Sequence, residues 1–253
     1  MSSNIDLNSD IEMNIVDHLS ELRKRLIITA IFFIVSFFVS FIYVRDIYHF
    51  FESDIDFVLN ITSPGDTIWI YFTIAGLMAI VLTLPILCLQ IWLFVKPGLT
   101  KSEQKVSLAY IPMVFILFVF GLVFGYFIFI NLILPFLISL NDGMFNELFT
   151  VEKYFKFMFR LTLPFALIFE IPVITMFLTS IGMITPEFLR KSRKYAYFIL
   201  LIVGALVTPP DVILQIVVAI PLILLYEASI HLSAIVYRKK IRKQREDIVE
   251  NDS

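Results

Sequence analysis

Long apolar blocks, rather than alternating or heptad patterns, dominate this sequence. They cover residues 26–44, 68–95, 106–131, 155–181, 195–207 and 212–237. A helix needs about 20 predominantly apolar residues to cross the hydrocarbon core of a bilayer. Of the 253 residues, 59% are hydrophobic and only 17% are charged, whereas a soluble domain is about a quarter charged. The pattern predicts an all-α membrane protein with six transmembrane helices.

The fifth and sixth blocks depart from the usual length. Residues 195–207 make a helix of only about 20 Å, against roughly 30 Å of hydrocarbon. The sixth block is apolar only as far as Tyr226, where Glu227 interrupts it. We expect these two spans to thin the bilayer locally or to be shielded by neighbouring helices.

The basic residues are unevenly divided between the two sides of the predicted bundle. Sixteen of the 20 Lys and Arg precede span one or lie in the 2–3 connection, the 4–5 connection and the tail. The other four are Arg45, Lys153, Lys156 and Arg160. Because cytoplasmic loops carry an excess of Lys and Arg, both termini are expected in the cytoplasm, which requires an even number of spans.

The first 25 residues are polar and acidic, without the apolar core of a signal peptide. Apolar residues at 11, 15, 19, 22 and 26 fall on one helical face. Residues 10–25 are therefore predicted to form an amphipathic helix on the cytoplasmic surface before span one. Residues 238–253 are expected to form a charged cytoplasmic tail.

Local patterns predict helix starts, kinks and close helix contacts. Ser63, Thr100 and Thr208 each precede an acid three residues later and are predicted N-caps. Five prolines fall inside spans and predict kinks that curve the bundle; they are Pro85, Pro112, Pro164, Pro172 and Pro221. Gly121 and Gly125 form GxxxG, which favours packing within the protein over dimerisation.

The sequence lacks the residue patterns of common enzymes and metal sites. No HExxH, GxSxG or GxxxxGK[ST] occurs, and a single cysteine, Cys88, excludes an internal disulfide framework. A net charge of −2 provides no field for nucleic acid. We therefore expect no enzyme activity, no cofactor, no metal and no nucleic-acid partner.

Glu170 stands in apolar surroundings well inside span four. A carboxylate at the bilayer centre costs at least about 2.5 kcal/mol, so Glu170 is predicted to face a cavity, water or a partner. A protonated or hydrogen-bonded packing group is the alternative. A proton-coupled secondary transporter for a small solute, with Glu170 as its proton site, is a possible function, as is a structural scaffold for a membrane complex.

Two acids, Glu21 and Glu103, stand among the basic residues of the predicted cytoplasmic face. A carboxylate can hold a guanidinium through two hydrogen bonds, which selects Arg over Lys. Two such carboxylates could bind two adjacent arginines. The alternatives are an i,i+4 pair of Glu21 with Arg25 and a helix-capping role for Glu103.

Several segments, in order, resemble signatures of the TatC family, the receptor core of the twin-arginine protein translocase. The first is residues 18–26, which contain Glu21, Leu22 and Arg23. The others are residues 90–100 with Glu103, residues 169–172, residues 208–215, residues 219–221 and residues 226–227. The resemblance covers residues 15–240, nearly the whole chain.

The resemblance implies a concave, glove-like bundle of kinked helices with both termini in the cytoplasm of a bacterial cell. It implies that Glu21 and Glu103 bind the paired arginines of signal peptides on folded precursor proteins. Phe94, Leu22 and Arg23 would belong to the same signal-peptide-binding patch.

The resemblance also implies roles inside the membrane. Glu170 would line the concave face, and Thr208 and Gln215 would lie where single-span TatA/TatB-type partners pack. Export would be driven by the proton-motive force, without a cofactor on this subunit. A homo-oligomer within the translocase complex in the plasma membrane is expected.

Overall fold

The computed structural model describes residues 3–55, 57–96, 104, 108, 110–141, 144, 148–208 and 211–251, and the side chains of residues 19–242 within these ranges. Ten α-helices are described. They are α1 (Ser3–Ile42), α2 (Val44–Glu52), α3 (Pro64–Val95), α4 (Tyr110–Ile128), α5 (Leu134–Ser139), α6 (Val151–Ile168), α7 (Ile171–Ile181), α8 (Pro186–Lys191), α9 (Arg193–Val207) and α10 (Val212–Asn251). A π-helical turn, Phe129–Ile133, joins α4 to α5.

Five helical stretches of the described chain are long and apolar enough to cross a membrane. They are Leu19–Ile42, Pro64–Val95, Tyr110–Ser139, Val151–Ile181 and Val212–Arg242. The remaining apolar block forms α9, whose 15 residues fall short of that length, so the fifth block is short as predicted. The third span continues through the π-helical turn to Ser139, beyond the predicted end at residue 131. The all-α fold and its apolar helices are confirmed.

Helix α1 joins two segments that the sequence analysis treats separately. Residues 10–25 are helical as expected, but they continue without interruption into span one. The sequence holds neither glycine nor proline before residue 64, so nothing in the backbone chemistry ends the helix between them. The predicted surface segment is therefore the first part of a 40-residue helix.

Span four, in contrast, consists of two helices. Helix α6 ends at Ile168, Phe169 and Glu170 form a turn, and α7 begins at Ile171. Pro172 therefore lies inside span four as predicted, in the first turn of α7, where a proline is tolerated because first-turn amides need no partner within the helix. By comparison, Pro85, Pro164 and Pro221 lie inside helices as predicted.

The halves of span four pack against different neighbours: α6 lies against α4, and α7 lies against α10. A Cβ atom added at Gly121 would lie 2.7 Å from the Cα of Ala166, and one at Gly125 would lie 2.9 Å from the Cα of Thr162. Both glycines thus permit the backbones of α4 and α6 to approach closely. The GxxxG pair serves internal packing, as predicted.

A pair of hydroxyl groups joins α7 to α10. Thr179 Oγ1 and Ser233 Oγ lie 2.7 Å apart, and both side chains are fully buried. Thr179 Oγ1 is also within hydrogen-bond distance of the Thr175 carbonyl. A buried hydroxyl pair is therefore part of the α7–α10 contact.

The predicted caps have different outcomes. Ser63 forms the expected capping box with Asp66 at the start of α3. Thr208 is instead the C-cap of α9, in an extended conformation, and Asp211 caps α10 by accepting a hydrogen bond from the Leu214 amide. The predicted Thr100 cap lies outside the described residues.

The connection after span one contains an element that the sequence analysis does not predict, the helix α2. Val44 at its start is 1% exposed and belongs to the core. Asn60, further along this connection, pairs through its backbone with both Phe149 and Val151. The 1–2 and 3–4 connections are thereby joined at one end of the bundle.

Candidate functional site

Glu21 belongs to a hydrogen-bonded group that joins α1 to α3. Its Oε1 accepts a hydrogen bond from Arg25 Nη2 at 3.0 Å. The other terminal nitrogen of Arg25, Nη1, donates to Gln90 Oε1 at 3.3 Å. The i,i+4 pair considered from the sequence is therefore present, and it is tied to a residue 65 positions further along the chain.

The Glu21 carboxylate remains accessible within this group. Its side chain is 32% exposed, and a carboxylate has about four lone-pair sites for hydrogen bonds. Leu22 and Arg23 follow it on the exposed surface of α1. The predicted patch residues on α1 are thus exposed or half-buried, as a docking surface requires.

On α3, Phe94 lies one helical turn beyond Gln90 and is half-buried. The ammonium nitrogen of Lys96 lies 5.2 Å from the ring centroid of Trp92, which is two residues before Phe94. Glu103, the second predicted acid, lies outside the described residues. The structure thus brings together the α1 acid and the last turns of α3, through Arg25 and Gln90.

Arg25 and Gln90 are components of the site that the sequence analysis did not assign to it. The i+4 spacing of Arg25 from Glu21 is the signal that could have identified Arg25. Gln90 joins the two helices by accepting the hydrogen bond from Arg25. Its particular partner is a tertiary contact that no local pattern could identify.

Glu170 lies at the break in span four and is 6% exposed. Neither of its carboxylate oxygens has a hydrogen-bond partner among the described residues. Cys88, on α3, is close enough to interact with it electrostatically. The described part of the chain therefore offers no partner for Glu170 as a hydrogen-bonded packing group. Burying a polar group without a hydrogen bond costs free energy of folding.

Thr208 and Gln215 both contact α9. Thr208 Oγ1 donates to the Gly204 carbonyl at 2.8 Å, and Gln215 Nε2 donates to the Leu201 carbonyl at 3.3 Å. Thr208 is buried, whereas Gln215 is half-buried. Apolar side chains around these two residues are exposed; among them are Ile202, Leu206, Ile213 and Ile216.

Glu227, whose setting the sequence left open, is the centre of a polar cluster between α9 and α10. Its Oε2 accepts a hydrogen bond from Arg193 Nη2 at 2.7 Å, and its Oε1 accepts one from the Tyr197 hydroxyl. Next to it, the Tyr226 hydroxyl donates to the Leu189 carbonyl at 2.8 Å. This cluster attaches α8 and the short α9 to the long α10.

No metal centre is indicated in the described part of the chain. Histidine, cysteine, aspartate and glutamate side chains do not gather there in groups of three or more.

Comparison with known proteins identifies the family. The family described as "Sec-independent protein translocase protein (TatC)" matches residues 17–221. The chain belongs to the TatC family. The matched range contains every TatC-like site residue discussed above, from Glu21 to Gln215, and the resemblance found in the sequence motifs is confirmed.

Individual TatC proteins match over almost their whole length. "Sec-independent protein translocase protein TatCd" of Bacillus subtilis is 43% identical over 233 residues, covering 92% of this chain and 96% of the relative. "Sec-independent protein translocase protein TatC" of Halalkalibacterium halodurans is 42% identical over 246 residues, covering 93% and 96%.

A solved TatC structure matches the fold. A crystal structure of the twin-arginine translocase receptor TatC superposes with a TM-score of 0.74 at 32% sequence identity, covering 87% of this chain and 99% of that one. This chain therefore has the TatC fold, and it is a multi-pass membrane protein of a translocase family.

Proposed function

We propose that this TatC-family protein is the receptor that binds twin-arginine signal peptides of folded precursor proteins. The observation that carries the proposal is the half-exposed Glu21 carboxylate, which already holds one guanidinium, that of Arg25. A guanidinium of the signal peptide would bind at the remaining lone pairs, with Glu103 as the second acid. Charge-assisted, bidentate pairing of this kind distinguishes Arg from Lys.

The proposal includes the apolar part of the signal peptide and the partner proteins. The apolar segment would follow the bundle towards Glu170, whose unsatisfied oxygens would receive a polar group from the peptide or from a partner helix. Single-span TatA/TatB-type proteins would pack beside Thr208 and Gln215, where α9 and α10 expose apolar side chains. Several copies of the chain would assemble in one complex, and the proton-motive force would drive export.

The proposed setting is the bacterial plasma membrane with both termini in the cytoplasm. The uneven distribution of Lys and Arg supports this orientation. About 32 Å of helix separate Glu21 from Ile42, close to the hydrocarbon thickness of roughly 30 Å. Glu21 would therefore lie at the cytoplasmic interface, where a precursor protein arrives. Membership of a translocase family favours this function over the small-solute transporter.

The test is direct binding of a fluorescent signal peptide to the detergent-solubilised full-length protein. Peptides carrying Arg-Arg and Lys-Lys are compared on the wild type and on Glu21→Gln and Glu103→Gln. Since a hydrogen bond to a charged group contributes about 1.5–3 kcal/mol, each variant should bind the Arg-Arg peptide at least about tenfold more weakly.

The matched control is Glu187→Gln, which removes one exposed acid from α8 and should leave binding unchanged. Equal affinity for the two peptides, or wild-type affinity in both the Glu21 and the Glu103 variant, would show that these acids do not bind the paired arginines.

A further inference from the structure

A cleft of about 400 Å³ opens at the end of the bundle opposite Glu21. It lies between α2, the first turns of α3 and the start of α6. Its apolar lining consists of the exposed Ile61 and, at the base, of Val44, Ile70 and Val151, each at most 5% exposed. Small-molecule sites typically occupy roughly 300–1,000 Å³, so this cleft is large enough for part of an amphiphile.

The polar side of the cleft carries Arg45 and Tyr71. Arg45 Nε donates to the Tyr71 hydroxyl at 3.1 Å. Among the described residues, no carboxylate lies at ion-pair distance from Arg45, and its two terminal nitrogens have no hydrogen-bond partner. The Tyr71 hydroxyl accepts the hydrogen bond from Arg45, and its own hydrogen has no acceptor among the described residues. The guanidinium and the phenol can therefore donate together to one anionic oxygen group.

The described lining of the cleft contains no acidic residue. Tyr48 and His49 also line it, and their polar atoms lie 3.0 Å from the carboxylate of Glu52, which is not among the described lining residues. The guanidinium of Arg45, which stays protonated at neutral pH, is therefore the charge that the cleft offers to an anion.

The depth of the cleft restricts what can reach it. Arg45 follows directly on the span that ends at Ile42, so it stands at the membrane–water boundary, where tyrosines such as Tyr48 and Tyr71 are also enriched in membrane proteins. Molecules that combine an apolar chain with a negative headgroup at this depth are phospholipids.

We propose that this cleft binds an anionic phospholipid, with an acyl chain along the apolar lining and the headgroup phosphate between the Arg45 guanidinium and the Tyr71 hydroxyl. The site is separate from the Glu21 patch, and its occupancy does not depend on signal-peptide binding. A bound lipid would fill the space between α2 and α3 and fix the first outer connection against the bundle.

The experiment is native mass spectrometry of the full-length protein in detergent, titrated with phosphatidylglycerol or with phosphatidylcholine of the same acyl chains. The wild type should retain phosphatidylglycerol in preference to phosphatidylcholine. Arg45→Gln should weaken phosphatidylglycerol binding about tenfold, as expected for the loss of hydrogen bonds from a charged donor. Lys156→Gln, which removes a charge from the neighbouring exposed surface of α6, should not weaken it.

A second variant separates lipid binding from folding. Thr67 is exposed at the mouth of the cleft, so Thr67→Trp should fill the cleft and displace the lipid while Arg45 remains. Both variants are checked for wild-type melting temperature in detergent without added lipid.

Three results would overturn the proposal: equal retention of the two lipids, wild-type binding by Arg45→Gln, or full displacement of the lipid by millimolar inorganic phosphate. The last would identify a site for a free anion rather than for a lipid. Dimers that form without lipid and are lost in Thr67→Trp would assign the cleft to a second copy of the chain.

Discussion

Arg25 Nη1 on α1 lies 3.3 Å from Gln90 Oε1 on α3, while the same guanidinium holds Glu21 through Nη2. The third nitrogen of Arg25, Nε, is buried without a partner among the described residues. Arg25 is therefore a partly buried charge whose hydrogen bonds position Glu21 relative to α3. The position of the candidate receptor acid depends on an amide in another helix.

Replacing Gln90 should destabilise this junction. Gln90 is 9% exposed, so Gln90→Leu would leave Arg25 Nη1 without its acceptor, at a cost of about 1–3 kcal/mol. Gln90→Glu retains an acceptor of the same length and should melt at a higher temperature than Gln90→Leu. Thermal unfolding of the purified protein in detergent provides the measurement.

The control for this pair is Gln215→Leu, because Gln215 donates to a backbone carbonyl on an exposed surface. It should lower the melting temperature less than Gln90→Leu does. Identical melting of Gln90→Leu and the wild type would mean that the Arg25–Gln90 contact contributes nothing to stability.

The close approach of α4 and α6 should not tolerate a methyl group. Gly121→Ala places its Cβ 2.7 Å from a backbone atom of Ala166, so the helices must move apart, and overpacking of this kind costs about 1–3 kcal/mol. Gly125→Ala should act in the same way. The control is Gly76→Ala on α3, where an added Cβ meets nothing within 4 Å.

The melting temperatures of the three alanine variants, measured in the same detergent, test whether α4 and α6 are too close for a methyl group. Gly76→Ala should equal or exceed the wild type, because alanine also favours the helix by about 1 kcal/mol over glycine. A Gly121→Ala protein as stable as the Gly76→Ala protein would contradict the packing described here.

The Arg193–Glu227 pair should show a measurable coupling energy. The two side chains are 42% and 26% exposed and lie 2.7 Å apart, and Tyr197 supports the same carboxylate. A double-mutant cycle with Arg193→Ala and Glu227→Ala should give a coupling of about 1 kcal/mol. The reference cycle uses Glu152 and Lys156, which are 3.8 Å apart on an exposed surface.

The reference cycle should give a coupling close to zero, since exposed ion pairs at such distances contribute little. Equal couplings in the two cycles would indicate that the polar cluster does not hold α9 to α10.

The contact between α7 and α10 predicts a disulfide. Thr179 Oγ1 and Ser233 Oγ are 2.7 Å apart, and sulfur atoms at these positions can approach the bonding distance of about 2.05 Å. In a Cys88→Ser background, Thr179→Cys with Ser233→Cys should form an intramolecular bond on oxidation, detected by mass spectrometry after alkylation. Either cysteine alone should remain a free thiol, and a double variant that does not cross-link would place the two helices further apart.

Hydropathy was sufficient to predict the long apolar helices, because an apolar run of this length has few alternatives to a membrane helix. Spacing also predicted the Glu21–Arg25 pair, since residues four apart share a helix face. The Arg25–Gln90 contact could not be obtained in this way, because it depends on how α1 and α3 are rotated against each other.

Two sites next to proline show what local patterns leave open. Thr208 has the extended conformation of an N-cap, as Ser63 has before Pro64, but its hydroxyl donates back to Gly204 and Asp211 caps α10 instead. Pro172 predicted a kink in span four, and the helix breaks just before it. Pro164 and Pro221 remain inside helices, so the sequence alone does not show which prolines coincide with a break.

The break at Phe169 and Glu170 gives the two halves of span four different packing partners. Helix α6 lies against α4, where Gly121 and Gly125 meet the backbone at Ala166 and Thr162, whereas α7 lies against α10. A substitution at the α4 contact therefore strains the first half of this span, and a substitution at Thr179 or Ser233 strains the second. One apolar block of the sequence thus carries two separate packing interfaces.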